Sequence, residues 1–276
     1  MAKENLVILH GAIQCAPRIY ANSDGNVNKA MLYMKVLRRP SISEKLSANR
    51  IFFDNPIILS KNEKLIAQMS ELEKDDMLDV RGVLTTREVL KSTICPNCAT
   101  KNSVEGNTVY VTPIYLCRRE PKTKPEEALE LLKKRCEVSN MIMVIGTLCR
   151  DPEFYQAESR SGYVQYQLAV NRKFRIREDP ADLKTDYPWV KAYGSQAISD
   201  AKCLQTGSVV YINGALQTRE VNRTTVCPSC GQSYTWKDAA TEIVPYSTEY
   251  LVNCLVPEKD ETKMIEEAEH AEDRPE

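Results

Sequence analysis

The sequence lacks long apolar runs, is short of histidine, and carries none of the compact motifs of an enzyme. No stretch approaches the ~18 consecutive apolar residues of a membrane-spanning helix, so no membrane partner is expected. The opening Met1-Ala2-Lys3-Glu4-Asn5 runs directly into strand-like sequence without the apolar core of a secretion signal, and a cytoplasmic chain is expected. The two histidines, His10 and His270, stand near opposite ends of the chain. No nucleophile–base pair can be built around either, and no P-loop or carboxylate motif occurs. With a cytoplasmic chain expected, the ten cysteines read as thiols or metal ligands rather than a disulfide framework.

What is present fits a soluble globular chain long enough for two ordinary domains: 276 residues, 42% hydrophobic and 27% charged. The formal net charge of −1 hides an asymmetry. From Pro257 to Glu276 there are nine acids and three bases, a net of −6, which leaves the body at +5. A mildly basic body with an acidic appendage suits a nucleic-acid binder, although bulk charge is weak support.

The strongest signal is an internal repeat. Arg81-Gly82-Val83-Leu84-Thr85-Thr86-Arg87-Glu88-Val89 recurs as Asn213-Gly214-Ala215-Leu216-Gln217-Thr218-Arg219-Glu220-Val221. Six residues later each copy has Cys-Pro-x-Cys, first Cys95 and Cys98, then Cys227 and Cys230. Leu6–Gly11 corresponds to Met141–Gly146, Pro17 and Tyr20 to Pro152 and Tyr155, and Tyr115-Leu116 to Tyr250-Leu251. Landmarks matched in the same order mean a duplicated domain.

Each copy reads as mostly strand. Val164, Tyr166, Leu168 and Val170 alternate with polar or small neighbours, the period of a half-buried strand, and Val210, Ile212, Gly214 and Leu216 repeat the pattern. A helix is predicted from Gln196 to Cys203, with a counterpart at Asn62 to Leu72. Three strands, a helix and two strands joined by a long hairpin is the order of a five-stranded OB-fold barrel. The expected fold class is therefore mostly β, two tandem OB barrels, each with a short helix and a Cys-x-x-Cys hairpin. The expected domains are residues 1–117, a linker with a short amphipathic helix at 118–139, a second barrel at 140–254, and an acidic disordered tail at 255–276.

The second copy resembles the bacterial single-stranded DNA-binding proteins. The resemblance rests on Asn140–Leu148, Asp151-Pro152-Glu153, Leu168-Ala169-Val170-Asn171-Arg172-Lys173-Phe174, Lys191-Ala192-Tyr193-Gly194, Thr206–Ile212 and Gly214–Arg219. It spans roughly residues 140 to 252. It implies sequence-tolerant binding and protection of single-stranded DNA in replication, recombination or repair. It places stacking aromatics at Tyr187 and Tyr193 and a phosphate-binding arginine at Arg219. Val221 departs from it, since relatives often carry an aromatic just after that arginine. Because relatives with one OB fold commonly form tetramers, two folds per chain imply a homodimer. In that family an acidic tail recruits replication and repair proteins through a hydrophobic tip, which Glu272-Asp273-Arg274-Pro275-Glu276 does not supply.

The residues support such binding independently. A sequence-tolerant site needs aromatic faces for bases and cations for phosphates. Tyr187, Trp189, Lys191 and Tyr193 lie two apart, on one face of a strand, with Val190 and Ala192 facing the core. Arg172, Lys173, Arg175 and Arg177 gather around Phe174 in the preceding loop. The bland alternative is a packed sheet face, which the alternating lysine and the basic loop weigh against. The first copy offers only Arg38, Arg39, Phe53 and Arg87, so it is expected to be chiefly architectural.

Each Cys-Pro-x-Cys has the shape of a zinc knuckle but supplies only two ligands, whereas a structural zinc needs four. The remaining arrangement is one four-thiolate Zn2+ site per chain, joining Cys95 and Cys98 to Cys227 and Cys230 within or between chains. The competing readings are a redox pair, for which no thioredoxin-like context exists, and a relic that binds nothing. A broader alternative function is an OB-fold and knuckle interaction protein that docks on a replication or mobile-element complex, with DNA binding secondary.

Overall fold

Alternation of apolar and polar residues forms the strands, and glycine bulges let them close. The computed structural model describes residues 3–39, 52–134, 139–157, 160–173, 176 and 184–255. The first repeat comprises β1 (Asn5–Ile13), β2 (Arg18–Ala21), β3 (Val27–Arg38), β4 (Phe52–Asp54), β5 (Ile57–Ser60), α1 (Glu63–Ser70), β6 (Met77–Ile94) and β7 (Lys101–Glu120). After α2 (Pro125–Lys134), the second comprises β8 (Asn140–Leu148), β9 (Glu153–Ala157), β10 (Arg160–Asn171), β11 (Thr185–Asp186), β12 (Trp189–Tyr193), α3 (Gly194–Cys203), β13 (Val209–Val226) and β14 (Ser233–Val252). The predicted helices are present, α3 beginning two residues early and α1 capped by the Asn62 side chain.

Pairings close each repeat into a barrel. In the first, β1 pairs β3, β3 pairs β5, β5 runs parallel to β7, β7 pairs β6, and β6 returns to β1. In the second the same circuit runs β8, β10, β12, β14, β13. The repeated glycine now has a cause. Registers shift at Arg81/Gly82 and at Asn213/Gly214, opposite Pro113 and Pro245. A Cβ at Gly82 or Gly214 would lie 2.3 Å from the carbonyl oxygen of Thr112 or Val244. Only glycine permits that approach.

Val7, Leu32, Val36, Ile58 and Val80 fill the first barrel, and Val144, Tyr166, Leu168, Val190 and Ile212 the second, all buried. Two buried asparagines at matching places pin the hairpins: Asn5 exchanges two bonds with the Leu84 backbone (2.8 and 2.9 Å), and Asn140 does so with Leu216 (2.8 and 2.9 Å). Helix α2 covers the outside of the first barrel, packing Ala128 and Leu132 on Ala12, Leu37 and Met77.

The barrels join edge to edge through an antiparallel β1–β8 ladder centred on Val7 and Ile142. A reciprocal latch reinforces it. Asp54 accepts from Arg38 Nε (3.0 Å) and from the Thr218 amide (2.7 Å), while the Asn55 amide donates to Thr218 Oγ1 (2.7 Å). Asp186 accepts from Arg172 Nε and Nη2 (2.5 and 2.8 Å) and from the Thr86 amide (2.8 Å), while the Tyr187 amide donates to Thr86 Oγ1 (2.8 Å). Each barrel's short strand thus grips the other's hairpin. This corrects the sequence reading of Arg38 and Arg172 as DNA-facing cations. Both are buried ion-pair members, held inside because each must neutralise a carboxylate that is itself out of solvent.

Removing one partner of such a pair strands the other charge. Asp186→Ala is therefore expected to cost about 3–5 kcal/mol, read as a lowered denaturant midpoint; a change under 1 kcal/mol would show that the latch is not under tension from burial.

Candidate nucleic-acid face and thiol cluster

With Val190 and Ala192 in the core, Trp189, Lys191 and Tyr193 point to the opposite side of β12, where Trp189 and Tyr193 are half-buried and Lys191 is covered to 9% exposure by its neighbours. The ladder sets them opposite Gln167, Gln165 and Tyr163 of β10, and β9 places Glu153 and Tyr155 beyond Gln165 and Tyr163. One row across the three strands is therefore wholly aromatic. Tyr155 stacks on Tyr163 at 5.0 Å and 19°, and Tyr163 meets Tyr193 at 6.2 Å and 50°. Lys191 lies beside this row, its Nζ 3.7 Å from the Tyr163 ring centroid. Burial lowers the Lys191 pKa, the charge of Arg219 adds to the shift, and Glu242 opposes it. Arg150 covers Trp189 at 4.9 Å. Arg219 reaches the same region from β13, held by Glu242 of β14 in a bidentate pair (2.8 and 2.7 Å).

The structure thus brings together Trp189, Lys191, Tyr193 and Arg219 of the predicted residues. Tyr187 stands just before β12, separated by Pro188, exposed at 51% and with its amide turned to Thr86 of the other barrel. Lys173 Nζ lies 3.8 Å from Glu4. Phe174, Arg175 and Arg177 lie outside the described residues. In the first barrel Arg39 stacks on Tyr246 (4.5 Å), Phe53 lies under Lys35 (4.3 Å), and Arg87 approaches Asp186 (3.5 Å). Tyr155, Tyr163 and Arg150 were missed. The signal for Tyr163 was available, because it is the outward phase of the strand whose inward phase, Val164 to Val170, had been recognised. The matching face of the first barrel carries Lys29 over Tyr20 (4.3 Å) and Arg18 over Tyr33 (5.9 Å), with Met31, Ile57 and Leu59 in the neighbouring outward positions.

Strands β6–β7 and β13–β14 extend beyond the barrels as two arms whose ends meet. Each Cys-Pro-x-Cys closes a tight turn, with the Ala99 amide bonding the Cys95 carbonyl (2.9 Å) and the Gly231 amide the Cys227 carbonyl (2.8 Å). Ala99 and Gly231 both adopt positive φ, 57° and 71°. The sulfurs of Cys95, Cys98, Cys227 and Cys230 all lie within 4.8 Å of one another, close enough to hold a metal ion. Cys95 to Cys230 is 3.8 Å and Cys98 to Cys227 is 3.6 Å. Four thiolates at Zn–S distances of about 2.3 Å in a tetrahedron stand about 3.8 Å apart, so the geometry fits zinc. Burial raises the Cys227 thiol, but the Cys230 and Ser229 amides and the Asn102 side chain outweigh it and bring it to about 6. The Gln232 amide lowers the Cys230 thiol, but burial and hydrogen bonding within the cluster outweigh it and push it up to about 11, so the four sulfurs share their protons rather than ionising alike. Below the cluster Lys91 of one arm pairs with Asp238 of the other (2.5 Å).

Comparison with known proteins agrees with this architecture. Residues 139–227 match the single-strand binding protein family. Single-stranded DNA-binding protein B of Bacillus subtilis is 30% identical over 80 residues, 29% of this chain and 69% of that protein. The chain belongs to the single-strand binding protein family. Single-stranded DNA-binding protein 1 of Chlorobaculum tepidum is 28% identical over 138 residues, 49% of this chain and 76% of that one. The family is one of DNA-binding proteins, not of enzymes. Crystal structures of the single-stranded DNA-binding protein from Thermus aquaticus superpose on nearly the whole of this chain. A deletion variant gives a TM-score of 0.61 at 18% identity, covering 94% of this chain and 100% of that one. The wild type gives 0.59 at 16% identity, covering 94% and 99%. At that identity the likeness establishes the fold, two OB barrels in one chain.

Proposed function

We propose that the chain binds single-stranded DNA without reading its sequence and protects it during replication, recombination or repair. The observation that carries this reading is the Tyr155–Tyr163–Tyr193 row with Lys191, Arg219 and Trp189 around it. Rings offered as a surface accept any base, and the cations beside them accept phosphates. Residues 140–254 are the main binding domain and 1–117 the architectural one, joined through 118–139. The acidic segment 255–276 lies, beyond Leu255, outside the described residues. No described helix is long and apolar enough to cross a membrane.

Oligo-dT is expected to bind far better than duplex DNA and to weaken as salt rises. Tyr163→Ala and Trp189→Ala should each lose about 1–3 kcal/mol of binding, measured by fluorescence anisotropy. Equal affinity for duplex would favour a protein-docking role for the folds instead.

The four clustered thiols are proposed to hold one zinc per chain, clipping the arms within the chain. Cys95 and Cys98 would supply two ligands and Cys227 and Cys230 the others, with Asn102 bonding the Cys227 sulfur (3.4 Å) as an outer support. Metal analysis of protein prepared without added zinc should give one equivalent. Free thiols at all four positions with no metal would refute it.

A homodimer is proposed through the outer face of the β1–β8 ladder. Leu6 stands opposite Met143 and Ile8 opposite Met141, with Ile145 alongside, all half-exposed. A second copy would cover this apolar face, which is nearly symmetric about the ladder's centre. A mass near twice the 31.3 kDa chain is expected, and Ile8→Glu with Met143→Glu should return it to one chain; a wild-type monomer would overturn the assignment.

A further inference from the structure

We infer that Glu242 is a built-in competitor for phosphate, occupying Arg219 within the proposed DNA face and thereby setting how tightly the face holds a strand. The inference rests on the reading of that face as a single-strand site. Glu242 is only 8% exposed, yet it lines a groove of about 350 Å³ between the two arms, with Trp189 and Trp236 among the other walls. Its two carboxylate oxygens take Nη2 and Nε of Arg219 at 2.7 and 2.8 Å, the same fork that would grip a phosphate. Tyr193 and Lys191 sit beside the pair, Tyr193 donating to Gln217 (3.2 Å) on the same strand as Arg219. The carboxylate therefore subtracts one charge where phosphate contacts would form.

The duplication provides an internal comparison. Glu242 faces Gln217 across β13–β14, and the matching pair across β6–β7 is Tyr110 and Thr85. A tyrosine therefore fits where the second barrel carries the acid, and core packing does not require the carboxylate. In the first barrel Arg87 approaches a carboxylate from elsewhere, Asp186, which Arg172 already occupies. In the second barrel the hairpin arginine holds the carboxylate across its own hairpin, and it stands in the aromatic face.

Oligo-dT titrations of the full-length protein at several salt concentrations test this. Glu242→Gln should bind roughly three- to tenfold tighter at 0.1 M salt, and its slope of log affinity against log salt should steepen by about 0.7, the signature of one added phosphate contact on a single strand. Arg219→Gln combined with Glu242→Gln should lose that gain. If Glu242→Gln does not fold, Glu242→Tyr, a residue the first barrel carries at the matching position, is read by its salt slope alone, because an added ring can itself stack on a base. Unchanged or weaker binding with an unchanged slope would overturn the inference, as would a gain that persists without Arg219. Wild-type protein that does not bind oligo-dT would instead overturn the reading of the face itself.

Discussion

Everything in this chain depends on an open edge in each barrel that the other barrel covers. Strand β1 pairs β3 only from Gly11 to Ile13, and the opposite half of the same edge, Asn5 to Leu9, pairs β8. Strand β8 is divided the same way, with Asn140 to Val144 on β1 and Gly146 to Leu148 on β10. A lone barrel would leave five residues of backbone donors and acceptors without a ladder, and exposed edges invite pairing with any available chain. Fusing two copies in one sequence makes the correct partner always present. The Asp54 and Asp186 latches then fix the angle at which the copies meet, because each carboxylate bonds an arginine of its own barrel and a threonine amide of the other.

That shared frame frees the surfaces to diverge. Ile58 and Val190 occupy equivalent inward places, each beside the parallel strand of its barrel. Their outward neighbours differ: Ile57 and Leu59 in the first barrel, Trp189 and Lys191 in the second. Packing constrains the inward set, since a barrel interior tolerates little change in volume. Nothing comparable constrains the outward set, where replacing an aliphatic with an aromatic or a cation alters only what the surface can hold. The duplication therefore preserved an architecture while allowing two chemically different faces.

The same distinction explains what could be read before the structure. Landmarks that packing demands were legible: the alternating strands, the glycine of Arg81-Gly82 and Asn213-Gly214, and the cysteine pairs, whose two-plus-two count already implied a meeting. The latch was not legible. Arg172 follows a strand and precedes a basic, aromatic loop, which is how a binding residue looks locally, and only the fold shows that Asp186, fourteen residues on, claims it. Arg38 and Asp54 repeat the case. Tyr163 was legible as the outward phase of its strand, but Tyr155 joins the face through cross-strand register, and a register between β9 and β10 that includes a bulge cannot be counted from sequence alone. Glu242 was invisible for the same reason, lying twenty-three residues from the arginine it holds.

The arms show why a cluster of thiols stands where it does. Two-stranded ribbons this long have little stability of their own in water. Along their outer lengths Leu90, Ile94 and Val226 are largely exposed, so burial contributes little there. Where the arms meet, the apolar cluster consists of Cys95, Cys227 and Tyr234 with Trp236 against it. A patch so small cannot hold two ribbons together by burial, and for the mostly buried Lys91–Asp238 pair the cost of desolvating both charges offsets much of their attraction. A covalent or metal link at the tip changes the balance, because it fixes the far ends of both ribbons at once and removes most of their freedom to splay. Since Glu242 and Trp189 line the groove at the foot of the arms, a clip at the tip would also hold the walls of that groove at a fixed separation. The thiol cluster and the proposed DNA face are then parts of one mechanical unit.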